Sequence, residues 1–354
     1  QGTNTTKGSA YTYFNNLFMY GKYSAVRDYA KSELGQQFTR TFGGTLGGAI
    51  VKDKLFYFVS AEAQKESYPA SIYPGYINSY LTSATAKQIA DKYKEYTGIA
   101  EAYSQRDVDR KSFGLLARVD WNINQDHKLA LRYQHNNSFD DNYTPGAYSG
   151  YLMNNKTNSI VAEQNSRLGQ NLYNEIRASA SFVRDNREVA YQGPTVQIEN
   201  VKGNDGKTNI TANIGTEFSS GANKLDQDIY TFEDNLSWYL GSHTMTFGTH
   251  NEIYRMSNLF IQAVNGSWYF NSLDNFLNDA PYKYTYKYTN PELTGGDLRY
   301  APIMKSGQFG FYAQDKWNIN TNLELTYGIR FDIPLLFNDP TTTEAFNTFA
   351  ADTA

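Results

Sequence analysis

Residues 117–134 alternate with period two on both sides of a short polar turn, and this pattern constrains the chain more than any other. One face carries Ala117, Val119, Trp121 and Ile123, then Leu129, Leu131 and Tyr133. The opposite face carries Arg118, Asp120 and Asn122, then Lys128, Ala130, Arg132 and Gln134. Successive side chains of a strand point to opposite sides, so the segment reads as a β-hairpin with one apolar and one wet face.

The pattern recurs. Residues 308–331 hold a near copy, with Phe309, Phe311, Ala313, Trp317 and Ile319, then Leu323, Leu325, Tyr327, Ile329 and Phe331 on the apolar face. A third hairpin covers 234–249, with Leu236, Trp238, Leu240, Met245 and Phe247 on one side. A fourth covers 41–64 and turns at Lys52-Asp53; a fifth covers 159–183 and turns near Gly169-Gln170. About eleven strands result, near 8–14, 36–50, 55–64, 112–123, 128–136, 159–168, 172–184, 228–240, 244–255, 306–319 and 322–332. Short turns alternate with connections of about twenty to fifty residues, the rhythm of a membrane barrel with short periplasmic turns and long extracellular loops.

Composition narrows the choice. The 354 residues are 40% hydrophobic, with a mean hydropathy of −0.61, yet include 30 Tyr and 21 Phe. No run approaches the roughly 18 apolar residues of a spanning helix. A net charge of −4 leaves no basic footprint for nucleic acid. Without Cys there are no disulfides, Cys-based zinc sites or thiol nucleophiles. The sequence starts at Gln1 with no signal peptide, and reads as a mature form or a fragment.

Trp121, Trp238 and Trp317 each fall on the apolar face shortly before a short turn, where a membrane-interface aromatic girdle belongs. Asp234 and Asp315 fall on the same face by strict counting, and a β-bulge near each is expected to shift the phase. The long connections read as exposed loops. Residues 82–98 form a short amphipathic helix with a Thr or Ser N-cap and with Ile89, Tyr93 and Tyr96 at helical spacing. Residues 271–280 form a second short helix, and 199–226 is a polar, Gly- and Asn-rich loop.

Five stretches carry a family resemblance: "GTNTTKGSAYTYF" (2–14), "FGGTLGGAIVKDKLFYFVSAEAQ" (42–64), "GSHTMTFGTHNE" (241–252), "GSWYFNSLDNFLNDAP" (266–281) and "GQFGFYAQDKWNINTNLELTYGIRFDIP" (307–334). Together, and in this order, they resemble TonB-dependent outer-membrane receptors, most of all the Oar-like branch common in Bacteroidota. The resemblance implies location in the outer membrane of a Gram-negative bacterium. It also implies nutrient uptake through a plugged barrel of 22 strands, driven by the TonB system acting on the plug. Residues 1–354 resemble the first half of that barrel, without counterparts of the plug, the TonB box or the remaining strands. The expected class is therefore all-β: a partial antiparallel transmembrane β-barrel, with outer-membrane lipid as one partner. The other implied partner is an extracellular ligand: an oligosaccharide, a peptide or a chelate.

Enzyme chemistry finds little support, and no catalytic, cofactor or metal residue is assigned. The four His, at 127, 135, 243 and 250, form no metal-binding pair at helical spacing, and no P-loop or GxSxG motif occurs. The Gly-rich stretch 43–48 precedes a strand rather than a helix, so it is no phosphate cradle. If Ile50 pairs with Leu55, Gly47 faces Phe58 and Ala49 faces Phe56, whose rings cover bare backbone on the lumen side. Candidate ligand contacts are Tyr282, Tyr284, Tyr286 and Tyr288, which an extended chain would place on one side. The alternative is an all-β surface adhesion or binding module without transport, using its aromatic loops.

Overall fold

The computed structural model describes residues 2–19, 23–24, 32–33, 37–69, 81–100, 107–142 and 150–339, with scattered positions beyond. Its strands, in chain order, are β1 (Lys7–Asn16), β2 (Tyr23–Ser24), β3 (Ser32–Glu33), β4 (Phe38–Val51), β5 (Leu55–Pro69), β6 (Asp107–Asn122) and β7 (His127–Asn142). They continue as β8 (Tyr151–Arg167), β9 (Leu172–Val189), β10 (Thr195–Lys202), β11 (Asn209–Ile214), β12 (Asn223–Leu240) and β13 (His243–Phe260). The last four are β14 (Ser267–Phe270), β15 (Lys283–Thr285), β16 (Ile303–Asn320) and β17 (Leu323–Leu336). Helices are α1 (Ser83–Thr97), α2 (Leu273–Leu277) and α3 (Pro291–Thr294).

Eleven strands form one sheet in the order β1-β4-β5-β6-β7-β8-β9-β12-β13-β16-β17. Every neighbouring pair is antiparallel, and each follows the last in sequence once the small strands of the long connections are set aside. The sheet is not closed; β1 and β17 are its edges. The alternation expected from sequence holds across the register. Trp121 lies between Leu55 and Leu129, and Val119 between Tyr57 and Leu131, on one face. Arg118 lies beside Phe58 on the other.

The apolar face is bounded on both sides, and its borders step along the sheet. The register carries the level of Trp121 through Leu129, Gln164, Ile176, Asp234 and Thr249 to Phe311. Trp238 lies four residues beyond Asp234, four strands from β6, and Trp317 lies six beyond Phe311, six strands from β6. The border thus slips one residue per strand. With a rise of about 3.3 Å and strands about 4.8 Å apart, that slip is a strand tilt of roughly 35°. The upper border is charged: Lys111 lies ten residues from Trp121, Asp228 ten from Trp238, and Lys305 twelve from Trp317. Ten residues span about 33 Å of strand, or about 27 Å after tilt, close to the roughly 25 Å apolar band of a membrane barrel.

Two sequence expectations change here. The register runs unbroken through Asp234 and Asp315, so no bulge turns either away from the apolar face. One carboxylate oxygen of each instead has a polar partner across the sheet, while Asp315 Oδ1 is buried without one among the described residues. Asp315 Oδ2 accepts from Tyr327 Oη at 2.9 Å and lies 2.7 Å from His243 Nδ1. Asp234 Oδ1 accepts from Asn174 Nδ2 at 2.5 Å. In the hairpin of β4 and β5, Gly47 faces Phe58 and Ala49 faces Phe56 as expected, but Val51 rather than Ile50 pairs with Leu55 through a local irregularity. A methyl on Gly47 would meet the Phe58 ring at 3.1 Å, so the ring does cover bare backbone there.

Candidate functional site

The long connections do not hang as separate loops. Three of them fold together into a cap at the end of the sheet opposite the three Trp-bearing turns. Its frame is a second sheet, ordered β11-β10-β14-β15, with α1 and α2 packed on it. Alternation along β10 and β11 puts Val196, Ile198, Ala212 and Ile214 on one side, where they meet Ile89 and Tyr93 of α1 and Phe276 of α2. Ile89, Tyr93, Ile198 and Phe276 are wholly buried.

Local chemistry sets these elements. Thr82 Oγ1 accepts from the Thr85 amide at 3.0 Å and caps α1, which stops at Gly98 with φ +71°. Ser272 caps α2 in the same way. Tyr93 Oη donates to the Pro194 carbonyl at 3.0 Å, tying α1 to the start of β10. Gly215 sits against that carbonyl at φ +95°, and a methyl there would come within 1.9 Å of it. Both helices were legible in the sequence, whereas 199–226 read as loop and in fact supplies parts of β10 and β12 and all of β11. The missed signal was the spacing of Val196, Ile198 and Val201, which a register shift at Ile198/Val201 throws out of phase.

The cap leaves an aromatic groove of about 410 Å³, with Tyr96, Trp268, Phe270, Phe276 and Pro281 among its walls. Asp279 is its acidic element and pairs with Lys92 Nζ at 3.0 Å, which holds the Lys92 ammonium above its ordinary range. The candidate tyrosines lie alongside and contact different neighbours. The Tyr284 ring lies 4.4 Å from Trp268, so it extends the groove wall outward. Tyr282 packs on Tyr269 at 6.3 Å and donates to Glu199 Oε1 at 2.8 Å, which raises its phenol pKa. Tyr286 and Tyr288 pair with each other at 5.3 Å. All four rings are about half exposed.

Sequence reasoning also missed the polar order of the sheet's other face. Arg118 forks onto Asp120 at 2.7–3.0 Å, and Arg177 bridges Glu163, Glu175 and Glu233 at 3.1–3.4 Å. His250 continues the chain, with Nδ1 at 2.9 Å from Glu233 and Nε2 at 3.5 Å from Glu252. Arg330 then pairs with Asp332 at 2.7 Å. Trp121, Trp238 and Trp317 lie on the opposite face, each partly exposed beside its turn, and His243 stacks on Trp317 with ring centroids 5.3 Å apart.

A family model described as an outer membrane beta barrel domain matches residues 1–74 and 69–354. The structure resembles the outer membrane transporter YddB from Escherichia coli, with TM-score 0.58 and 12% identity over 94% of this chain and 40% of that one. It also resembles the ferric enterobactin receptor PfeA from Pseudomonas aeruginosa, with TM-score 0.50, 13% identity and the same two coverages, 94% and 40%. The siderophore receptor PirA from Acinetobacter baumannii gives TM-score 0.50 and 12% identity over 94% of this chain and 39% of that one. The chain therefore spans about 40% of the length of these structures. No curated protein matches the sequence.

Proposed function

This chain belongs to the outer membrane beta barrel domain family, and from that premise we propose that it is the first half of the barrel of a TonB-dependent receptor of the Oar-like type. Location in the Gram-negative outer membrane follows from the family. The barrel takes up a nutrient: the cap binds the ligand outside, and the TonB system acts through a plug that lies outside residues 1–354. Trp121, Trp238 and Trp317 form the periplasmic interfacial girdle, because amphipathic rings favour the boundary between headgroups and hydrocarbon. The ion-paired face lines the lumen, where water keeps such a network solvated.

One observation carries the reading of a receptor: an aromatic groove built from three long loops stands on the extracellular rim of the sheet. Flat rings with a few polar edges suit stacking on a sugar, a peptide side chain or an aromatic chelate. The test is Trp268→Ala and Tyr284→Ala in the complete receptor, with binding of oligosaccharides, peptides and iron chelates measured on whole cells. The bound class is expected to lose about tenfold or more in affinity, in line with a hot-spot aromatic. Unchanged affinity at normal surface expression would assign these rings to packing alone. Uptake lost without TonB while binding persists distinguishes transport from adhesion.

A further inference from the structure

The cap sheet ends on an open edge. β15 pairs with β14 alone, matching Thr285 to Ser267, Tyr284 to Trp268 and Lys283 to Tyr269. Past Thr285 that pairing stops, because β14 begins at Ser267 and Gly266, at φ +81°, turns the chain away. Among the described residues, the backbone amides of Tyr286, Lys287 and Tyr288 have no hydrogen-bond partner. The segment nevertheless keeps the alternation of a strand. Tyr286 and Tyr288 lie with ring centroids 5.3 Å apart, so both point to one side. Tyr284 meets Trp268 on the groove side, while the Lys283 ammonium lies 4.6 Å over the Tyr269 ring on the other. Lys287 shares the side of Lys283 by the same alternation and donates to the neutral Gln262 Oε1 at 2.8 Å. Both lysines are exposed, and among the described residues neither pairs with a carboxylate.

We propose that an extended acidic peptide binds along residues 283–288 as an added strand of the cap sheet. The inference rests on the reading of the cap as the outer ligand site, and it narrows the ligand to a peptide. Alternate amides of an extended run point to the open edge, about 6.6 Å apart. A polypeptide backbone presents carbonyls at that spacing, whereas a sugar or a compact chelate does not. In the added strand, side chains beside Tyr284 and Tyr286 are apolar and continue the wall of the groove. Side chains beside Lys283 and Lys287 are carboxylates, since opposite charges across a sheet attract. The recognised pattern is therefore acidic and apolar in strict alternation.

The test is binding of a short peptide of alternating glutamate and valine, blocked at both ends, to the complete receptor in detergent. Each peptide nitrogen is methylated in turn, which alters the ligand and leaves the folding of the protein untouched. Every second position is expected to lose about tenfold in affinity and the positions between to lose little, because alternate N–H groups enter the ladder. Equal tolerance at all positions, or equal loss at all, overturns the proposal. Lys283→Glu/Lys287→Glu is expected to weaken the glutamate peptide about tenfold and to bind a peptide of alternating lysine and valine instead. A variant that binds both peptides as the natural receptor does also overturns the proposal. Absence of peptide binding, while Trp268→Ala still weakens a sugar or a chelate, overturns this inference and leaves the groove reading standing. Period-two peptide binding that Trp268→Ala leaves unchanged supports the edge and overturns the groove.

Discussion

Asp315 and His243 lie 72 residues apart in sequence and 2.7 Å apart in space. Counting along the strand places Asp315 on the lipid-facing side, next to the Trp317 level, and nothing local explains how it is tolerated there. The explanation is a partner on β13 and another, Tyr327, on β17. Removing one member leaves the others short of a hydrogen bond in a poorly solvated place, whereas removing the set removes the demand. His243→Leu is therefore expected to lower the denaturant midpoint, measured in lipid bilayers. His243→Leu with Asp315→Leu and Tyr327→Phe is expected to recover most of the loss. A triple variant no more stable than the single one would deny the coupling. Asp234, satisfied by Asn174 one level deeper, follows the same logic.

At the scale of elements, sequence and structure agree unevenly, for a physical reason. All eleven long strands were legible, and their ends at the short turns fall within about two residues of expectation, the usual spread of such boundaries. Apart from the start of β4, expected near 36 and found at Phe38, the other ends ran short. β8 starts at Tyr151 rather than 159, and β7 continues to Asn142 rather than 136. Alternation of apolar with polar residues reports burial in lipid, and both strands continue beyond the lipid. There Lys156 and Asp140 leave no such contrast to read. The cap sheet escaped for a different reason, since its strands are short and its partners come from distant loops. Its stability rests on few residues. Phe276→Ala is expected to cost ~3–5 kcal/mol of cap stability, read as faster amide exchange in α1 and β10 while the membrane sheet stays protected. Between β10 and β11, Asp205 accepts from the Lys207 and Thr208 amides and the Thr208 hydroxyl, at 2.9, 2.8 and 2.6 Å. The three bonds favour the carboxylate and draw its pKa down to about 2. A depressed pKa means that the turn's extra stability is full above the ordinary carboxylate range and is lost as pH falls through about 2. Amide shifts of Lys207 and Thr208 are expected to titrate there, not near pH 4.

For the molecule as a whole, the edges matter most. β1 and β17 each have a neighbour on one side only. An unpaired backbone edge in hydrocarbon costs several kcal/mol per group, which is why spanning sheets close. Residues 1–354 expressed alone are expected to give an open or chain-recruiting sheet, without heat-modifiable migration on gels and without protease resistance. A compact, heat-modifiable monomer would show that eleven strands can close by themselves. The one-residue slip per strand has a further consequence for how such a chain can change length. Deleting one residue from a short turn would invert the strand that follows it, lipid for water, until the next long connection absorbs the change. Deleting two would preserve the faces but shift that strand by about 5 Å against the bilayer, since two residues rise about 6.6 Å along a tilted strand. Length change at the short turns is thus confined on both counts, by parity and by depth, while the extracellular connections obey neither rule and are free to diversify.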